Sequence, residues 1–206
     1  MKRKVLSLIV VVILLLTMSV PVFADAIPYG STVYAGELYI VSSMNCASSS
    51  GSSNLLGHSF LIYHNTTSTV QTIGNLTVPA GLEITIGTSG VEVYDGVWYC
   101  LEAYYHRQNN SYRYNYYTGM SLSLIDLVQV SNVILNWESY DLWTNNCAHF
   151  ATAVWNSVSD IDFYADTPQE LIFDICEVSD EVDYDITSPG NPVYYNRGML
   201  INRPVG

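Results

Sequence analysis

Basic residues are nearly absent from this chain. It carries seven Lys and Arg against 19 Asp and Glu, and Lys2, Arg3 and Lys4 account for three of the seven. Beyond them only Arg107, Arg113, Arg197 and Arg203 are cationic, and no lysine follows residue 4. A surface of that composition repels phosphate backbones and other polyanions, which excludes nucleic-acid binding. After the first 26 residues there is no apolar run approaching the roughly 20 residues a spanning helix needs. Cysteine is sparse, at Cys46, Cys100, Cys147 and Cys176. Four cysteines allow three pairings into two disulfides, but a chain of this length builds a core without such staples.

What is present begins with a leader. Lys2-Arg3-Lys4 forms a basic start, Val5 to Met18 an apolar core, and Pro21 to Ala26 a breaker followed by small residues. Val22-Phe23-Ala24 and Ala24-Asp25-Ala26 both satisfy the small-x-small cleavage rule. The expectation is a signal peptide over 1–24, cleaved near Ala24 or Ala26. Residues 25–206 then form a single secreted domain with no stable membrane association. That domain has four arginines against 19 acidic residues, a net charge of −15.

Seventeen tyrosines, with abundant Val, Ile and Thr, favour strands. Strands are expected over Thr32 to Ser43, His58 to Tyr63, Val70 to Gly74, Leu82 to Gly87 and Val97 to Tyr105, with Val70 to Gly74 pairing back onto His58 to Tyr63. Met44 to Asn54 reads as a Ser-rich loop carrying Cys46. Helices are expected over Ser123 to Ser139, capped by Ser121 or Ser123, over Asn146 to Ser157, and over Pro168 to Val178. In the last, Thr167 serves as cap, Pro168 suits the first turn and Glu170 adds N-terminal charge. From Ser179 the tail is acidic, then rich in Pro, Gly and Tyr, and reads as irregular. The pattern is α+β, an antiparallel sheet packed against about three helices.

Two segments carry chemistry. In Asn145-Asn146-Cys147-Ala148-His149-Phe150, either asparagine can cap a helix that starts at Cys147. Backbone N–H groups then converge on the sulfur, where they favour a thiolate and can hold an oxyanion, with Asn145 or Asn146 as a further donor. In Gly57-His58-Ser59-Phe60-Leu61-Ile62, His58 opens a strand and shares a face with Phe60 and Ile62. A buried neutral imidazole there needs a hydrogen-bond partner, and a thiol is one. His149, two residues after Cys147, points about 200° away on a helix and reads as structural. His64 lies about 20 Å along the strand from His58, and His106 opens a polar loop. These spacings do not make a metal site, and nothing calls for a cofactor. The tract Tyr104 to Tyr117, with Arg107 and Arg113, reads either as a tyrosine-rich edge or as a surface for a saccharide or peptide.

Asn146-Cys147-Ala148-His149-Phe150 resembles a motif of the lecithin–retinol acyltransferase family, part of the circularly permuted branch of NlpC-type papain-like thiol hydrolases. Together with Gly57-His58-Ser59-Phe60, Gly96 to Glu102 and Val154 to Val158, it resembles small exported bacterial proteins of that superfamily. The resemblance implies a permuted papain-like order, with the histidine strand before the cysteine helix. It implies Cys147 as nucleophile and His58 as base. The family's third, orienting group is a polar residue on the strand after the histidine strand. Pairing across the turn at Asn65 would make it Asn75, while Glu102, a lone carboxylate in an apolar run, is the other candidate and the one favoured here.

These readings combine into an exported cysteine hydrolase that cleaves amide or peptide bonds through a thioester, peptidoglycan-derived peptides among its substrates. One alternative is a non-catalytic secreted domain with Cys147 in the core or in a disulfide. The other is a lipid acyltransferase or thioesterase on the same scaffold.

Overall fold

The computed structural model describes residues 33–44, 46–47, 53–54, 57–90, 96–190, 193–195 and 200–201. The expected leader over 1–24 lies outside the described residues, as does the side chain of Cys46. From Tyr34 onward the chain forms one compact unit. Its strands are β1 (Tyr34–Ser43), β2 (Cys46–Ala47), β3 (Ser53–Asn54), β4 (His58–His64), β5 (Gln71–Ile73), β6 (Leu76–Val78), β7 (Glu83–Thr88), β8 (Val97–Tyr99), β9 (Asn115–Ser123), β10 (Val193–Tyr195) and β11 (Leu200–Ile201). Its helices are α1 (Leu101–Asn109), α2 (Leu124–Asn136), α3 (Cys147–Asn156) and α4 (Pro168–Val178).

The principal sheet is antiparallel, in the order β8-β7-β4-β1-β9, and short β10 and β11 extend its β8 edge. Both faces of the sheet are covered, which explains why β4 and β7 are buried along nearly their whole length. On one face Leu38, Ile40, Leu61, Tyr63 and Ile86 meet α2, α3 and α4 through Val130, Ile134, Phe150, Val154 and Ile175. On the other, Val41, Phe60, Ile62 and Trp98 meet α1 and the tail through Leu101, Tyr105, Ile186 and Val193.

The expected α+β class holds, with three corrections. First, there are four helices among the described residues instead of three, because the apolar run Val97 to Tyr105 is not one strand. β8 ends at Tyr99, Cys100 takes a left-handed conformation (φ 61°), and α1 starts at Leu101. Leu101, Glu102, Ala103 and Tyr105 are all buried in that helix, so its apolar residues fall at every second position and imitate a strand. Second, β4 pairs with β1 and β7, whereas β5 and β6 form a separate ribbon. Third, the tail supplies two short strands and is held by side chains. The other helices form where capping chemistry places them. Ser123, Asn146 and Thr167 each accept a backbone N–H at the start of a helix, and each closes a capping box.

Glu83 is the main anchor of the tail. This buried carboxylate accepts from the Tyr184 hydroxyl at 2.7 Å, the Thr187 and Ser188 N–H groups at 3.0 Å, and the Ser188 hydroxyl at 2.9 Å. Arg107 donates to the Thr187 and Ser188 carbonyls from the other side. Hydrogen bonds to a charged acceptor contribute about 1.5–3 kcal/mol each in net terms, and stranding the donors costs more. Glu83→Ala is therefore expected to lower unfolding free energy by about 3 kcal/mol in urea titrations, and to expose the 179–190 segment to limited proteolysis. An unchanged urea midpoint together with an uncut tail would refute the anchor.

Candidate active site

His58 is the first residue of β4, opposite Ser43 of β1. Its preceding Gly57 sits at φ +76°, where a Cβ would come within 2.7 Å of the Ser43 carbonyl oxygen and 3.0 Å of Pro168. Only glycine makes that turn into the strand, pressed between the end of β1 and the start of α4. The imidazole packs on Phe60 and Tyr112, with ring centroids 5.7 and 5.4 Å away. Its side chain keeps 13% exposure.

Glu102 approaches from the second turn-forming position of α1 and is 1% exposed. Its Oε1 accepts from His58 Nε2 at 3.0 Å, and its Oε2 from the Thr85 hydroxyl at 2.8 Å. An ionised carboxylate only accepts, so Nε2 carries the proton and Nδ1 is left to face the sulfur.

Cys147 arrives from the opposite face of the sheet, at the first position of α3. Its sulfur lies against the His58 ring, which hydrogen-bonds it, and close to the backbone N–H groups of Ser59 and Ala148, the latter also donating to Asn146 Oδ1. The three side chains therefore meet around the open end of β4, two helices supplying one group each from opposite faces.

The electrostatics follow from that arrangement. Burial alone would push the Cys147 thiol up, but the charge and hydrogen bond of His58 and the two N–H donors outweigh it and hold the thiol below its usual range. Burial would pull the imidazole down, but the thiolate and Glu102 outweigh it and raise His58 to about 10. The pair thus favours thiolate and imidazolium together.

Several expected residues take other roles. Asn146 is the cap of α3: its Oδ1 accepts from Ala148 and His149 N–H, and its Nδ2 donates to the Leu142 and Asp166 carbonyls. Both amide hydrogens are engaged, so the side chain supports Cys147 and does not supply an oxyanion donor. Asn145 shapes the preceding loop, donating from Nδ2 to the Ser139 carbonyl and bridging Asp141 through the backbone. Asn75 lies in the β5–β6 turn, where its N–H meets Tyr99 Oη at 3.4 Å. The orienting position on His58 belongs to Glu102. His149 is structural: Nδ1 accepts from Asn146 N–H and Nε2 bonds Asp166. Among the described residues no cluster of His, Cys, Asp or Glu could hold a metal. Cys100, Cys147 and Cys176 are free thiols.

The tyrosine tract is divided between core and edge. Tyr105 and Tyr112 are buried, Arg107 is committed to the tail, and Arg113 stacks on exposed Tyr114.

Two residues that the sequence did not single out seat the carboxylate. Thr85 and Gly87 alternate along one face of β7, Thr85 hooking Glu102 and Gly87 lying beneath it. A methyl group at Gly87 would overlap Glu102 Oε1 and approach Phe60 Cβ to 3.3 Å. The only signal in the sequence is the alternation of Glu83, Thr85 and Gly87 with Ile84 and Ile86, which reads as an ordinary solvent-facing side.

Two outcomes are expected. Alkylation of Cys147 by iodoacetamide should rise at a pH below that of an ordinary thiol, about 8.5, and hold a plateau until His58 loses its proton near 10. His58→Ala should move the rise upward, and a rise at the ordinary pH in the wild type would contradict the ion pair. Gly87→Ala should displace Glu102 and lower the upper inflection by about one pH unit, with folding checked by circular dichroism. An unmoved inflection would contradict the seat.

No protein-family model matches the chain, and neither a curated protein nor a solved structure matches it at a significant level.

Proposed function

We propose that this protein is an exported cysteine hydrolase of amide or peptide bonds, with Cys147 as nucleophile, His58 as acid–base and Glu102 as the residue that orients and charges His58. The observation that carries this reading is the continuous hydrogen-bond chain from Thr85 through Glu102 and His58 to a free, cleft-facing thiol at a helix N-terminus. A core or disulfide-bonded cysteine needs none of these partners. The order of a histidine strand before a cysteine helix fits the permuted NlpC-type papain-like arrangement that the motifs resemble. Peptides derived from peptidoglycan are one substrate source for such an enzyme.

The chemistry runs in two halves. The Cys147 thiolate attacks the substrate carbonyl carbon, forming a C–S bond and moving the carbonyl electrons onto oxygen. The Cys147 N–H at the start of α3 is the group assigned to stabilise that charge, because it has no intrahelical acceptor while the Ala148 and His149 N–H groups are engaged by Asn146. The oxyanion collapses, the C–N bond breaks, and the amine takes the proton from the His58 imidazolium. Neutral His58 then accepts a proton from water as the water attacks the thioester. The acid leaves, the C–S bond breaks and the thiolate is restored.

The test is acid-quenched intact mass spectrometry during turnover of p-nitrophenyl acetate, followed by a peptide anilide panel. An acetyl group mapped to Cys147, absent in Cys147→Ala, is expected. His58→Ala should lower kcat by about 10²–10⁴-fold. Turnover surviving in Cys147→Ala would overturn the assignment.

A further inference from the structure

Cys147 opens onto a cleft of about 660 Å³ whose lining includes Gly90, Tyr140, Leu142, Trp143, Asn146 and Asp166. Its charge and shape are informative. None of its described lining residues is cationic, and its one carboxylate is Asp166, 86% exposed at the rim. The indole of Trp143 is 82% exposed. A large aromatic left so bare is informative where it lines the same cleft as the thiol.

This wall is pre-formed. Asp141 Oδ1 accepts from the Trp143 N–H at 3.0 Å, the Thr144 N–H at 2.9 Å and the Thr144 hydroxyl at 2.7 Å. Those bonds, the Thr144 hydroxyl foremost, hold the Asp141 carboxyl below the usual range. The Asp141–Asn145 bridge closes the loop, and Asn146 ties it to the Leu142 and Asp166 carbonyls. Tyr140 lies against Gly90, where any side chain would collide with its ring. A flat, rigid ligand group loses little freedom against such a wall, whereas a long acyl chain would have to order many torsions to fill it.

We propose that this cleft is the specificity subsite and that it takes an aromatic, uncharged group flanking the carbonyl attacked by Cys147, with Trp143 and Tyr140 as its stacking walls. The inference rests on the hydrolase reading above. It narrows that reading, since a carboxylate beside the scissile bond would meet Asp166 and an acidic chain, with no lysine or arginine among the described lining residues and the His58 charge already committed to Cys147 and Glu102.

The test separates the two readings by using thiol-directed probes in place of substrates. Rates of Cys147 modification, in which the C–S bond forms as chloride leaves, are measured at pH 6.5 for N-benzyl, N-octyl and N-carboxymethyl chloroacetamide. Each rate is normalised to glutathione. The N-benzyl reagent should exceed the N-carboxymethyl reagent at least tenfold beyond the glutathione ratio. Trp143→Ala, a surface change, should bring the ratio back toward that of glutathione, while Val128→Ala on exposed α2 should leave it intact. A wild-type ratio equal to that of glutathione, or one untouched by Trp143→Ala, overturns the subsite while leaving the nucleophile standing. An N-octyl rate above the N-benzyl rate assigns the cleft to an acyl chain and overturns the aromatic assignment. If Cys147 reacts with none of the reagents, nor with iodoacetamide, the hydrolase reading falls and the subsite with it.

Discussion

A carboxylate buried beneath a sheet has to be satisfied on every side, and Glu102 sets the terms for the residues around it. It reaches the interior because Cys100 turns the chain left-handed at the end of β8, which starts α1 one residue before the acid. Its position in the first helical turn is itself favourable, since the helix N-terminus is partly positive. One oxygen is satisfied by Thr85 and the other by His58. The histidine is thereby held with its second nitrogen toward Cys147, and its positive form is favoured. Without the carboxylate the ring would be a buried base with nothing to prefer the imidazolium, and the thiol would lose its principal counter-charge.

The same face of β7 serves a second acid. Glu83, two residues before Thr85, gathers the tail as Thr85 and Gly87 receive Glu102. One strand face thus holds together the carboxylate that bonds His58 and the segment that covers it. An alternating pattern of polar residues is here an interior polar layer roofed by α1 and by the chain from Tyr184 to Ser188. That layer lets a chain with few basic residues bury carboxylates: hydroxyls, backbone N–H groups and one imidazole do the work that arginine and lysine do elsewhere.

Legibility from the sequence varied with the range of the interaction. Pro168 to Val178 was readable residue for residue because Thr167, Pro168 and Glu170 are local signals. The starts of α2 and α3 were readable for the same reason. Val97 to Tyr105 misled because a helix end packed between sheet and tail is buried on nearly all sides, which erases its 3.6-residue period. The pairing of β4 with β1 and β7 was not legible either, since Val70 to Gly74 offered a closer partner with the same local appearance.

Local chemistry in the sequence determined that Cys147 begins a helix, that His58 begins a strand, and that few cations would be available to either. It also marked Glu102 as an acid needing a partner, through its isolation in an apolar run. The tertiary structure alone decided that α1 and α3 approach the end of β4 from opposite faces. It decided as well that Asn146 is consumed as a cap and that Gly87 is empty so that a carboxylate can lie there. The physical reason is that caps and turns are satisfied within a few residues of chain, whereas a seat for a buried charge is made by groups that meet only when the sheet closes.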